Sequence, residues 1–191
     1  VSSVRLGRSD DRSEERLGQL DIEGGTFIAG WTRMGHDTSG NNSSEKHAII
    51  NFSGGTLLAT MITKGTDDGA TWNREFNWTG GTLSVENWTV GTAVTQNNTS
   101  ATSTLSPGGS GTIATNSFDD DYVLTAGNWK IEADGATGSA DAVEVAGTLD
   151  LSGATDTLTV TTINGAIDIG SYTIATAGSI SGEFDAENIA P

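Results

Sequence analysis

Three segments of this chain repeat the pattern apolar-x-apolar-x-Gly-Gly-Thr-apolar: Leu20–Phe27, Ile50–Leu57 and Phe76–Leu83. The copies lie 30 and 26 residues apart, and another glycine follows the first of each pair by 11 residues, at Gly35, Gly65 and Gly91. Gly7, in Val4-Arg5-Leu6-Gly7, reads as the end of one further upstream unit. Apolar-x-apolar is the period-two pattern of a half-buried strand. Gly-Gly interrupts it where the chain turns or another backbone comes close. A unit of this length cannot bury its own apolar face, whereas units stacked on one another can. The repeat therefore predicts an all-β fold, a parallel β-solenoid with rungs ~4.8 Å apart. Leu20/Ile50/Phe76, Ile22/Phe52/Trp78 and Phe27/Leu57/Leu83 are the expected inward ladders. An antiparallel sandwich also spaces its strands regularly, but it gives no reason for the fixed glycine offset.

Composition tests this expectation. Leu, Ile, Val and Phe together number 38 of 191 residues, and the net charge is −16. Those figures border on the composition of a disordered acidic chain. A solenoid resolves the tension because its core is narrow: one inward ladder per strand position suffices, and the rest of each rung can be Gly, Ser, Thr or Asn.

The organisation predicted is a repeat solenoid over residues 1–96, a turn-rich linker at 97–111 and a C-terminal β segment over 112–191 that continues or caps the solenoid. In that last part short alternating strands are expected at Tyr122–Thr125, Trp129–Ala133, Val143–Leu151, Thr157–Val160, Ala166–Ile169 and Tyr172–Ala175. Atypical terminal repeats are what capping requires. Ser9–Leu17 is the one candidate helix, and a solvated loop is the simpler reading.

The Gly-Gly-Thr-Leu strands resemble the autotransporter-associated β-strand repeats of bacterial surface proteins, found also in proteins with a PEP-CTERM sorting tail. Leu105–Gly111, Val145–Leu151 and Gly170–Phe184, in that order, are similar to the C-terminal end of such passengers. The resemblance implies an exported protein, extracellular or on the cell surface. It supplies no catalytic residue.

Several functions are disfavoured by the bulk numbers. No apolar stretch exceeds three residues, so no transmembrane segment is predicted. Cysteine is absent, which removes disulfides, thiolate catalysis and Cys-based metal sites. Eight of the nine Lys and Arg lie in residues 1–74, and from residue 100 onward 13 acids face Lys130 alone. Such a surface is a poor partner for nucleic acid. Residues from Val1 onward do not read as a secretory signal, as expected of a processed chain or an excerpt of a longer one.

Acids following the repeat glycines form one candidate site. Asp10, Asp37 and Asp67, in register, would stack like charges at rung spacing, which is unfavourable unless they are solvated or bind a counter-ion. Asp119, Asp120 and Asp121 form a second cluster. Hard oxygen ligands of this kind suit Ca²⁺, although neither the EF-hand pattern nor the Gly-Gly-x-Gly-x-Asp repeat is present; a solvated acidic edge is the plainer alternative. Of the five tryptophans, Trp78 falls on a core ladder, whereas Trp72 and Trp88 lie near turns, where exposure would let them stack on sugars. Arg33, His36 and Asp37 are close in sequence but read as a turn around Gly35. Asn42, Asn51, Asn77, Asn87, Asn97 and Asn98 each begin an Asn-x-Ser/Thr sequence, which arises easily in an Asn- and Thr-rich chain. Asn51 and Asn77 occupy equivalent, outward repeat positions.

The function expected is that of a non-enzymatic exported structural protein, a building block of an extracellular filament, sheath or surface coat that self-associates head to tail. The alternatives are an adhesin or polysaccharide-binding passenger, for which exposed Trp is the mark, and a carbohydrate-active β-helix enzyme, for which convergent acids and a base are.

Overall fold

A computed structural model describes residues 3–9, 16–37, 45–65, 71–91, 95–98, 100–153, 155–167 and 170–189. Over the described residues the chain is all-β, 68% strand with no helix, and its parallel sheets form a β-solenoid of about 5 turns. The first coils contain β1 (Ser3–Ser9), β2 (Arg16–Ile22), β3 (Thr26–Asp37), β4 (Glu45–Phe52), β5 (Thr56–Lys64), β6 (Thr71–Trp78), β7 (Gly81–Thr89) and β8 (Thr95–Asn98). Strands β2, β4, β6 and β8 make a four-stranded sheet, while β1, β3, β5 and β7 begin a larger one.

The register is that of the repeat. Leu20 lies beside Ile50 and Ile50 beside Phe76; Ile22, Phe52 and Trp78 align likewise. Across the core, Phe27 lies beside Leu57 and Leu57 beside Leu83. Ile22, Ile50, Phe52, Phe76, Trp78, Leu57 and Leu83 are all buried, and Leu20 and Phe27 pack against them. Each such side chain contributes roughly 1.5–3 kcal/mol by leaving water. The three expected ladders are thus the core of the first coils.

Two glycine columns have distinct physical causes. At the Gly-Gly corner, Gly25, Gly55 and Gly81 have φ of 71°, 80° and 86°. A Cβ on Gly55 would come within 2.4 Å of the Gly25 carbonyl oxygen, and one on Gly54 within 2.5 Å of the Glu23 oxygen. From the second copy on, each corner stacks on the backbone of the one before, so nothing larger fits there. The glycine 11 residues on serves a different contact: Gly7 and Gly35 have positive φ, and a Cβ on Gly35 would meet the Trp72 ring at 2.6 Å. The expected turn at Arg33–Asp37 is accordingly the end of β3, bent at Gly35.

Beyond β7 the larger sheet forks. Its members are β9 (Ser103–Leu105), β10 (Thr115–Phe118), β11 (Tyr122–Val123), β12 (Gly127–Asp134), β13 (Ser139–Ala140), β14 (Ala142–Leu151), β15 (Asp156–Ile163), β16 (Ala175–Gly182) and β17 (Ala186–Ile189). The start of β7 pairs with β9, and Asn87–Trp88 pairs with β10. One arm then runs β9, β12, β15, β17 and the other β10 and β11, β14, β16. Residues 112–191 therefore continue the parallel stack. Residues 100–111 take part in a rung and are not a linker: Leu105 extends the Leu57–Leu83 column, and Ser103, Leu105 and Ser106 are each 1% exposed. Its turn residues misled the reading because Ser106, Pro107, Gly108 and Gly109 close a corner, with Gly109 N–H donating to the Ser106 carbonyl at 3.0 Å. Neither Ala166–Ile167 nor Tyr172–Ile174 is strand; β16 begins only at Ala175. Residues 168–169, and residues 10–15 of the candidate helix, lie outside the described residues.

An aromatic chain crosses from one half to the other. Phe52 stacks on Trp78 at 6.2 Å, and Phe76 meets Trp88 edge-on at 5.1 Å. Trp88 reaches Phe118 at 6.1 Å, Phe118 reaches Tyr122 at 4.4 Å, and Tyr122 reaches Trp129 at 6.3 Å. Phe184 ends the series 5.7 Å from Trp129. Such contacts add about 0.5–1.5 kcal/mol each beyond area burial, and they join the two halves through one core.

Candidate functional site

The structure separates the sequence candidates. Asp10 and Asp67 lie outside the described residues, and so does the side chain of Asp37, the last residue of β3. Asp119 and Asp121 point to different coils. Asp119 Oδ1 accepts the N–H groups of Val90 (3.2 Å) and Gly91 (3.1 Å), closing the end of β7. Asp121 Oδ1 accepts the Thr148 N–H at 2.6 Å, in the next coil. Asp120 lies between them, its Oδ2 near the Gly91 turn. Three consecutive acids thus serve two neighbouring coils instead of converging. Among the described residues no group of three or more His, Cys, Asp or Glu side chains is placed to hold a metal ion.

Neither tryptophan singled out as a sugar platform presents a free ring, which corrects the expectation: Trp88 is interior and Trp72 is partly buried. Trp88 is 2% exposed and wedged between Phe76 and Phe118. Its proximity to the Gly91 turn hid the fact that it continues an inward column, beside Ile62 and Phe118. The Trp72 ring is partly buried against Gly7 and Gly35, with Lys46 Nζ 5.9 Å and the Arg74 guanidinium 5.3 Å from its centroid. Lys46 and Arg74 are themselves buried, and Arg74 Nε donates to the Met34 carbonyl at 2.7 Å. The ring face is occupied by the protein's own cations.

The exposed tryptophan is Trp31, at 48%. It lies on the outer face of β3, because the alternate residues Thr32 and Met34 are buried. Ser3 and Met61 flank it across the sheet, and two positions on Arg5 lies beside Arg33. This is a like-charge cross-strand pair, unfavourable in isolation. Neither arginine makes an ion pair among the described residues.

An acid with a raised carboxyl, Asp141, lies elsewhere, under the 106–114 loop. Asp141 is fully buried, and its two oxygens accept the N–H groups of Ala114 and Glu132, both at 2.9 Å. Burial pushes its carboxyl up to about 6, and the neighbouring Glu132 charge adds to this. Glu132, 2% exposed, accepts from Gly111 N–H and Ser110 Oγ, and pairs with Lys130 Nζ at 3.0 Å. Two acids and a base on one face meet the composition of a carbohydrate-cleaving site, but their lone pairs are already committed to backbone amides and to Lys130. They fasten a loop. Only a periodicity for the second half would have found them, and the sequence repeat is degenerate there.

The asparagines at equivalent positions also act on each other. Asn77 Nδ2 donates to Asn51 Oδ1 at 2.9 Å, and Asn51 Nδ2 donates to Asp21 Oδ1 at 2.7 Å. They form a side-chain ladder along the outer face of the smaller sheet.

Two of the surface cavities lie in the second half. An apolar one of about 440 Å³ lies among Ile131, Leu158, Val160, Tyr172, Ile174 and Ile189. A polar groove of about 540 Å³ runs past Asn128, Asp156, Thr159, Asp185 and Asn188. No described helix is long and apolar enough to cross a membrane. Comparison with family models, curated proteins and solved structures finds no match for this chain. Function therefore has to be argued from its own residues.

Proposed function

We propose that this chain is a non-enzymatic structural protein, an exported β-solenoid that builds an extracellular filament, sheath or surface coat. The observation that carries this reading is the use made of its chemistry-bearing side chains. Trp72, Trp88, Asp119, Asp121, Glu132 and Asp141 all hold coil to coil or loop to coil. A scaffold spends such residues internally, whereas a catalytic site presents them to a substrate. The resemblance to autotransporter-type passengers supplies the extracellular setting. Head-to-tail self-association is favoured by two features: among the described residues β16 and β17 each pair on one side only, and Ile180 and Ile189 are 55% and 61% exposed. Unpaired strand edges of this kind template further pairing, and a non-closing heterologous contact gives a fibre.

A second reading, a polysaccharide-binding passenger, is favoured by Trp31 with Arg5 and Arg33. An exposed indole beside two guanidinium groups that make no ion pair among the described residues suits a sugar polymer that carries carboxylates. Electron microscopy of the purified chain, alone and with polygalacturonate, separates the two. Uniform filaments from protein alone support the structural reading. Monomers that co-sediment with the polymer, and cease to do so in Trp31→Ala, overturn it in favour of the second.

A further inference from the structure

The polar groove contains a pair of acids that the repeat does not announce. Asp156 opens β15 at a corner of the coil, directly beside Gly127, which opens β12 in the coil before. Asp185 precedes β17 and occupies the same corner one coil further on. The two exchange hydrogen bonds: Asp185 N–H donates to Asp156 Oδ1 at 2.9 Å, and Asp156 N–H donates to Asp185 Oδ2 at 3.2 Å. The exchange holds two carboxylates side by side at about one rung spacing, ~4.8 Å. This is the like-charge stack anticipated for the acids after the repeat glycines, realised at other residues.

A second, independent feature points to a ligand. Asp156 is 0% exposed, and its Oδ2 is buried without a hydrogen-bond partner. A buried carboxylate oxygen without a donor is costly. Among the described residues no ion pair offsets it: from residue 100 onward the single base is Lys130, which is engaged with Glu132. The groove walls instead offer more oxygen. Asn188 and Asn128 line it, and the Asn128 amide oxygen accepts the Thr159 hydroxyl at 2.8 Å.

We infer that Asp156 and Asp185 form a calcium site, completed by water, that ties the last two described coils together at this corner. Two carboxylates and water from an open groove make an irregular hard-oxygen set, which suits Ca²⁺ better than the strict octahedron of Mg²⁺. Asp156 Oδ2 and the Asp185 oxygen not used by Asp156 N–H are the charged ligands. The competing account is a proton: burial, aided by the Asp185 charge, raises the Asp156 carboxyl above its ordinary range, so Asp156 would be carried as a neutral acid.

Thermal unfolding at pH 7 in CaCl₂ against EDTA decides between them, with Asp156→Asn and the conservative, exposed-site Asp185→Asn as variants. A saturable rise of about 5–10 °C at Ca²⁺ one hundredfold above Kd, reduced to the baseline in both variants and kept in Asp119→Asn, is the expected result. Asp185→Asn keeps the test sound should Asp156→Asn fold poorly. A melting point indifferent to Ca²⁺ in the wild type overturns the proposal and leaves the shared proton. A calcium-dependent rise that survives in Asp185→Asn overturns it also, because the ion would then be bound elsewhere.

Discussion

The two halves of the solenoid stack by the same geometry and fasten their coils by different chemistry. Before residue 92, successive coils repeat the Gly-Gly-Thr corner and the apolar alternation before it at the same positions. Gly-Gly corners nest into one another, and an Asp21–Asn51–Asn77 ladder runs along the outside. Described acids there accept from side-chain amides, as Asp21 does from Gln19 and Asn51, and Glu75 from Asn73. After residue 100 the repeat is lost, and acids take over by accepting backbone N–H groups. Asp119, Asp121, Glu132, Asp141, Asp156 and Asp185 each do so across loops or coils. Asp134 and Asp150 do so within their own turns. The acidity of the second half is therefore architectural. A carboxylate can satisfy two orphan N–H groups wherever coil length varies, which a repeated glycine corner cannot.

The comparison breaks most decisively if the halves are separate bodies. Phe118 tests this, since it bridges Trp88 of the first half and Tyr122 of the second while 3% exposed. Phe118→Ala is expected to cost about 3–5 kcal/mol and to lower the midpoint of a single unfolding transition by about 10 °C. Calorimetry that resolves two transitions, with one unmoved, would show that the aromatic chain does not couple them.

A smaller effect sharpens the account of the first half. Gly55 and Gly25 share a positive φ, but a Cβ on Gly55 strikes the coil before it, whereas one on Gly25 meets nothing within 4 Å. Gly25→Ala should cost about 1–2 kcal/mol, for the left-handed backbone alone. Gly55→Ala should exceed it by at least about 1 kcal/mol, because the carbonyl it meets cannot move without its whole rung. Urea midpoints of the two variants are the measurement. Equal losses would mean that nesting of corners contributes nothing beyond φ.

How much was legible follows from the same contrast. Leu20, Ile50 and Phe76 could be placed in one ladder because alternation and glycine spacing fix register without any knowledge of loops. Trp88 could not be placed, since its neighbour Gly91 marks a turn and the pairing of Trp88 with Phe118 crosses a stretch of Ser, Thr and Gly that reads as a linker. Asp156 and Asp185 were invisible for a related reason. They are equivalent only through coils of irregular length, and a carboxylate accepting backbone amides leaves no sequence pattern beyond its own presence. Trp31 was among the tryptophans but not among the candidates, because exposure was inferred from nearness to turns, whereas the alternation with buried Thr32 and Met34 decides it.

Asp141 gives the smallest and most specific test of whether carboxylates fasten the second half. Its folded carboxyl lies at about 6, raised from 3.8 chiefly by burial. Between those values the folded chain binds more proton than the unfolded chain, so this group's contribution to stability falls as pH rises through the window and is restored on acidification. From pH 7 to pH 5 it should add about 1 kcal/mol of stability. Asp21, Asp134 and Asp150 are shifted downward, so their opposite contribution, lost as protons bind, belongs to pH values below about 4. Relief of general repulsion in a chain of −16 acts in the same direction as Asp141, and Asp141→Asn separates the two effects. The variant keeps one amide acceptor and cannot titrate, so the gain between pH 7 and pH 5, read from urea midpoints, should shrink by about 1 kcal/mol. An identical gain in wild type and variant would place the proton elsewhere, and Asp141 would be a fastening that carries its charge at no cost.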